Sequence, residues 1–264
     1  MIAVHDLGGS GDPLLVCHAT GFCGRMYEPF ARTLNTRHRV FAVDLRGHGD
    51  SPLWPGASLE WPDITADVLD AAHKIRGRMH LFGHSIGGAV ALAAAVAEPN
   101  RFASVFLFEP IVPPTRIRAP VEQNPMAIAA RKRAEVFNAR AEARQRFKSR
   151  LSLHSLHDDV LDCYVKYGLE DLPDGTVRLK CRAETEAKVY EATGGISAED
   201  IAGVAQPVTI GSGEPETSML AALAAGTAAG IPAAQHIVYP ELTHLGPLEQ
   251  PGRLTSDLIA HTTR

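Results

Sequence analysis

LFGHSIGG, residues 81–88, sets three glycines and one serine directly behind an apolar run. An interior glycine weakens a helix or a strand by roughly 0.5–1 kcal/mol. Three of them around one polar residue mark a place where the backbone does something other residues cannot. The central five residues, GHSIG (83–87), fit the pattern G-x-S-x-G. The residues before them, MHLF, read as a buried strand, and GGAVALAAAVAEP (87–99) reads as an alanine-rich helix stopped by Pro99. A strand that turns this sharply into a helix holds its serine in a strained backbone conformation. Glycines two residues before and after remove the Cβ atoms that would collide there. The expected result is a Ser85 hydroxyl lifted clear of the fold at the carboxyl edge of a sheet. The N–H of Ile86 then lies at a helix N-terminus, where negative charge is welcome. A serine in a tight turn with no chemistry is the bland alternative, and the strand–turn–helix setting argues against it.

The chain has 264 residues, of which 45% are hydrophobic, enough for one large core. Chains of this length often form a single α/β domain. The net charge of −4 gives no general attraction to nucleic acid or to an anionic membrane. No run approaches the roughly 18 apolar residues of a membrane span. MIAVHDLGGSGD (1–12) has neither the charged nor the apolar region of a secretory signal. Cys17, Cys23, Cys163 and Cys181 show no CxxC or metal-like spacing, and are expected as reduced thiols in a cytoplasmic protein.

Working outward from the serine, apolar runs alternate with helical patterns. PLLVCHA (13–19), VFAVDL (40–45), MHLFG (79–83) and ASVFLFEP (103–110) read as strands. RMYEPFARTL (25–34) places Met26, Phe30 and Leu34 on one helical face, and DITADVLDAAHKI (63–75) does the same with Ile64, Val68, Ala72 and Ile75. Strands apolar along their length, separated by helices, predict a parallel sheet covered on both faces. The rhythm breaks from Val112 to about Gln206, where no buried strand is expected. Residues 125–151, 158–172 and 181–194 read there as three helices. Near Pro207 the earlier pattern returns, with strands at PVTIGSG and AQHIVYP and helices at SMLAALAAGTAAG and RLTSDLIAHT. GGSGD (8–12) is no phosphate loop, since it is expected to follow no strand of sufficient length and to open no helix.

LLVCHATGF, VFAVDLRGHGDSP, LFGHSIGG, PVTIGSGEPE and YPELTHLGPLEQP occur in this order, and together they resemble the α/β-hydrolase family. The resemblance implies an α/β-hydrolase fold, a mostly parallel twisted sheet with helices on both faces. It assigns residues 1–112 and 207–264 to the core domain and residues 113–206 to a helical cap inserted between the sixth and seventh strands. It is specific for the fold and less so for the reaction.

A serine hydroxyl is a weak nucleophile until a base takes its proton. The resemblance implies His244, in the loop ahead of the last helix, as that base. His18, His48 and His84 also sit in motif positions, and structural roles are expected for them. The base needs a carboxylate to fix its tautomer and stabilise its cation. Two glutamates compete. The family usually supplies an Asp three residues beyond a glycine after the strand PVTIGSG, where this chain has Glu216, with Glu214 as its neighbour. Certain dehalogenases of the family instead carry the acid at the end of the preceding strand, where this chain has Glu109. Glu109 is favoured, because a carboxylate that ends a strand as apolar as SVFLF needs a partner. Pro110 would hold its direction. Glu216 is kept as the alternative.

The resemblance further implies an oxyanion hole from the N–H groups of Thr20 and Ile86. The family commonly has His-Gly after the first long strand, and Ala19 replaces that glycine here. Phe22 and Phe137 are expected to line the substrate pocket. A serine at the elbow argues against epoxide opening or halide displacement, which use an Asp. It points to an ester, thioester, lactone or amide, with no metal and no organic cofactor. The expected substrate is a small acyl compound, with no nucleic acid or membrane partner, and the protein is expected as a monomer or homodimer. A non-catalytic ligand-binding protein, an acyl transferase or perhydrolase, and a C–C hydrolase are the competing readings. Residues 131–150 contain eight Lys or Arg against two Glu. They form either a solvated helix face or a surface that attracts an anionic substrate.

Overall fold

In the computed structural model the described residues are 1–117, 123–150 and 153–263. Val4–Gly9 (β1) and Asp12–Cys17 (β2) lead through a 3-10 turn into Glu28–Leu34 (α1) and His38–Val43 (β3). Trp61–His73 (α2), Met79–His84 (β4), Ile86–Ala97 (α3) and Phe102–Phe108 (β5) follow. After a long insertion the chain returns with Val208–Ser212, Ala221–Gly230, Gln235–Val238, Gly246–Glu249 and Thr255–Thr262.

The insertion contains Pro125–Arg131 (α4), Val136–Phe137 (β6), Arg140–Lys148 (α5), Asp158–Tyr167 (α6), Leu169–Asp171 (β7), Val177–Leu179 (β8) and Ala183–Glu191 (α7). The returning elements are therefore β9, α8, β10, α9 and α10. The large sheet has seven strands in the order β1-β3-β2-β4-β5-β9-β10. Only β1 runs antiparallel to its neighbour. Every residue of β4 is buried, as its apolar run requires of a central parallel strand. The chain leaves β2 toward one side of the sheet and resumes at β4 on the other. The loops after β2, β4 and β5 therefore meet outside the carboxyl edge, where a parallel sheet opens a crevice.

Several expectations are corrected. β1 was not expected; it is a partly exposed edge strand with two glycines, so it lacks an apolar signature. GGSGD thus does follow a strand, and it turns into β2 without opening a helix. The 125–151 helix is instead two helices separated by β6, and its last residue, Leu151, lies outside the described residues. Asn138 stops continuity there, as its backbone and side-chain amides both donate to Glu142 (2.8 Å each) and start α5 anew. The 158–172 helix ends at Tyr167, because Asp174-Gly175 forms a hairpin turn that pairs β7 with β8, and β8 also pairs β6. The insertion lies between the fifth and sixth strands of this sheet, counted from β1, and carries a three-stranded sheet of its own.

One face of the large sheet packs on α2, α3 and α8. The other packs on α1 and α10, and the same apolar cluster runs on into the insertion through Phe137, Phe147, Val160 and Tyr164. Among the described residues, no helix is long and apolar enough to cross a membrane.

Candidate active site

Ser85 follows the last residue of β4 with φ 59° and ψ −122°. A side chain at positive φ carries strain that only surrounding contacts maintain. Those contacts are its N–H to the carbonyl of Phe108 (3.0 Å), and its carbonyl accepting from Gly88 (3.0 Å) and Ile111 (3.2 Å). The glycines have the expected cause. A Cβ on Gly83 would lie 2.6 Å from the carbonyl oxygen of Gly87, and one on Gly87 would lie 2.2 Å from that of Cys17. Gly87 thereby lets the start of α3 sit directly against the loop that leaves β2.

His244 reaches this turn from the loop after β10. Its Nε2 is 3.1 Å from the Ser85 hydroxyl, and its Nδ1 is 2.7 Å from Oε2 of Glu109. Glu109 is fully buried one residue past β5, and it too has positive φ, 43°. The amide of Gly213 donates to its Oε1 (2.9 Å), and the Ser218 hydroxyl donates to its Oε2 (2.6 Å). Since a carboxylate only accepts, Nδ1 of His244 carries the proton and Nε2 is left to accept from Ser85. Glu216 is exposed and Glu214 half-buried, and neither hydrogen-bonds to His244.

The loop that carries His244 is held from three sides. Glu249 on α9 accepts from the Thr243 amide (2.9 Å) and hydroxyl (2.6 Å). The Ser155 hydroxyl donates to the same carboxylate (2.6 Å). His84 donates through Nε2 to the carbonyl of His244 (2.7 Å) and accepts through Nδ1 from the Tyr27 hydroxyl (2.7 Å). Burial, then the neighbouring His244, push the His84 imidazole well below its usual range, so it stays neutral. Sequence reasoning missed Tyr27, Ser218 and Glu249. Their partners are distant in the chain, and no local pattern announces them.

Thr20 and Phe22 lie in the loop after β2. His18 shapes that loop by donating to the Ala19 carbonyl (2.8 Å) and accepting from the Leu45 amide (2.9 Å). His48 accepts from the Gly21 amide (3.0 Å). The N–H of Ile86 is in the first turn of α3, where no carbonyl four residues back is available to it. Over this loop stands the insertion: Tyr164 on α6 donates to the Gly21 carbonyl (3.1 Å) and meets Phe22 edge-on, ring centroids 5.5 Å apart. Tyr164, Phe137 and Phe147 help to wall a cavity of about 340 Å³. Phe22 is not among its lining residues and lies behind Tyr164; Ser85 is not among them either. Arg133 and Glu186 form a buried charge contact of 2.6 Å above the loop, off the hydrogen-bonding line. His5, Asp44 and Asp50 cluster with metal-like spacing. The Asp44 oxygens there already accept from His5, Gly24 and Asp50, which accounts for the cluster without an ion.

A family model described as the alpha/beta hydrolase family matches residues 14–258, and the chain belongs to that family. A pimeloyl-[acyl-carrier protein] methyl ester esterase from Aeromonas salmonicida (strain A449) is 33% identical over 97 residues, 37% of this chain and 37% of the relative. An sn-1-specific diacylglycerol lipase, ABHD11, from Xenopus tropicalis is 33% identical over 108 residues, 39% of this chain and 33% of the relative. This chain thus covers only about a third of the length of those relatives. The solved E-2-(acetamidomethylene)succinate hydrolase superposes with a TM-score of 0.80 at 23% identity, over 100% of this chain and 95% of that one. That likeness is one of fold.

Proposed function

We propose that the protein is a serine hydrolase that cleaves a carboxylic ester, or a thioester or lactone, through an acyl-enzyme. The observation that carries this reading is the unbroken chain Ser85–His244–Glu109, with contacts of 3.1 and 2.7 Å. Ser85 Oγ attacks the ester carbonyl carbon while Nε2 of His244 takes its proton. Glu109 holds the opposite nitrogen and stabilises the imidazolium. The tetrahedral oxyanion accepts from the N–H groups of Thr20 and Ile86, each worth about 2.7–4 kcal/mol of barrier. The C–O bond to the leaving alcohol breaks as His244 returns the proton to it. Water, deprotonated by the same histidine, then releases the acid. The methyl ester esterase and diacylglycerol lipase among the relatives act on esters, which is consistent with this class.

A fluorophosphonate probe is expected to label Ser85, and p-nitrophenyl acetate or butyrate is expected to be turned over. Both signals vanish in Ser85→Ala. An unlabelled serine and no turnover in the folded wild-type protein would leave a non-catalytic binding protein as the reading.

A further inference from the structure

The eight basic residues between 131 and 150 fall into two groups. Arg131, Arg140, Arg144 and Lys148 each pair with carboxylates: Glu184 and Glu191, Asp171, Asp158 and Asp162, and Asp158 respectively. The other four, Lys132, Arg133, Arg146 and Arg150, line the cavity over the Thr20–Phe22 loop. Among the described residues that line it, none is Asp or Glu. Arg133 meets Glu186, and its Nε is buried without a hydrogen-bond partner. Among the described residues, Lys132, Arg146 and Arg150 have no ion pair. Four cations against one carboxylate leave a surplus of three positive charges around about 340 Å³, a volume suited to a small organic ligand. Like charges repel when drawn around one space, and an anion there offsets them. Apart from Ser149, the remaining walls, among them Phe137, Phe147 and Tyr164, are apolar or aromatic.

We propose that this cavity binds an anionic oxyacid group, carboxylate or phosphate, carried by the same molecule as the ester, so that the preferred substrates are acidic esters such as half-esters of dicarboxylic acids. The inference rests on the serine hydrolase reading for the reaction, but the anion site stands on the cavity alone. Tyr164 joins the two, since it lines the cavity and donates to the carbonyl next to Thr20. In the proposed pose the acyl chain runs from this cavity past Tyr164 and over that loop, with its ester at Ser85 and its anion among the arginines. Guanidinium forks match both oxyacid groups.

The test compares monomethyl with dimethyl esters of succinate, glutarate and adipate in a pH-stat. The wild type is expected to favour the monoesters by tenfold or more in kcat/KM, with an optimum chain length. Added salt should erode the preference. Arg146→Gln and Arg150→Gln are each expected to reduce it about tenfold, mostly through KM. Arg144→Gln, at a position outside the cavity, retains it. Equal use of mono- and dimethyl esters, with a ratio unmoved by the two variants, overturns the proposal while leaving the hydrolase intact. If no ester is cleaved and no probe labels Ser85, the anion site is decided by calorimetry with glutarate and inorganic phosphate. Heat that is lost in Arg146→Gln supports the site and says which anion it takes; no heat with either overturns it.

Discussion

Two side chains of the proposed triad sit on backbone that ordinary residues avoid: Ser85 at φ 59° and Glu109 at φ 43°. Each is the first residue beyond a central strand, so the sheet aims both at one crevice. Glu109 meets donors from Gly213, Ser218 and His244 there, and of these His244 also reaches the Ser85 hydroxyl. Glu109→Gln keeps the volume but removes the charge that stabilises the imidazolium. It also presents an amide whose N–H₂ end cannot accept from Nδ1. By analogy with other triads, kcat is expected to fall by about 10²–10⁴-fold. Glu216→Gln, on an exposed side chain, is expected to change it less than about twofold. Steady-state assays on p-nitrophenyl butyrate check both, and a reversed ranking would hand the acid role to Glu216. Ser218→Ala removes one of the three donors and is expected to cost about 1–3 kcal/mol of stability, read by urea denaturation.

At the level of elements, the turn just past α4, which carries Arg133, is tied to α7, which carries Glu186, partly through charge. Arg133 and Glu186 have side chains only 10% and 12% exposed. Removing one partner strands the other charge away from water, whereas replacing both with apolar groups does not. Arg133→Met is therefore expected to destabilise by about 3–5 kcal/mol, and Arg133→Met with Glu186→Leu to recover most of the loss. Urea midpoints of the two variants decide it; a double variant no better than the single one would sink this account. The insertion is also where the sequence was least legible. β4 and α3 were readable because continuous apolar runs and a glycine-framed serine have few structural solutions. β6 is two residues long and β7 and β8 three each, too short for any periodicity to register. The Asp-Gly turn at 174–175 was the one available signal for that small sheet. Ser85, His244 and Glu109 were legible because each belongs to a motif or ends an apolar strand. The cavity cations were visible only as a basic stretch. Their sorting into paired and unpaired groups depends on Glu184, Glu191, Asp158 and Asp171, which other elements bring near.

For the molecule as a whole, the buried histidines set how stability responds to acid. His48 is pushed down to about 3 and His80 to about 4, burial being the largest cause in each; His18 and His38 are neighbouring charges that add to it. His18 and His84 are lowered by burial as well. A histidine with a depressed folded pKa binds fewer protons folded than unfolded below the ordinary value of 6.5. Its contribution is complete above that value and is lost as pH falls toward the folded pKa, at up to about 1.4 kcal/mol per pH unit for each group. Asp44 is held down to about 2: burial by itself raises it, and the hydrogen bond from His5 leads the effects that outweigh burial. Its contribution is present above 3.8 and goes only as pH falls from there toward about 2, so it follows the histidine loss. The melting temperature is therefore expected to be nearly level between about pH 7 and 8 and to drop steeply from about 6.5 to 4. Scanning calorimetry across that range checks the sign. His48→Gln, which keeps an acceptor for Gly21 but cannot titrate, should flatten the fall by about one proton's worth. A melting temperature that held or rose on acidification would mean these imidazoles take up protons without unfolding, and the neutral His84 prop beneath His244 would have to be abandoned.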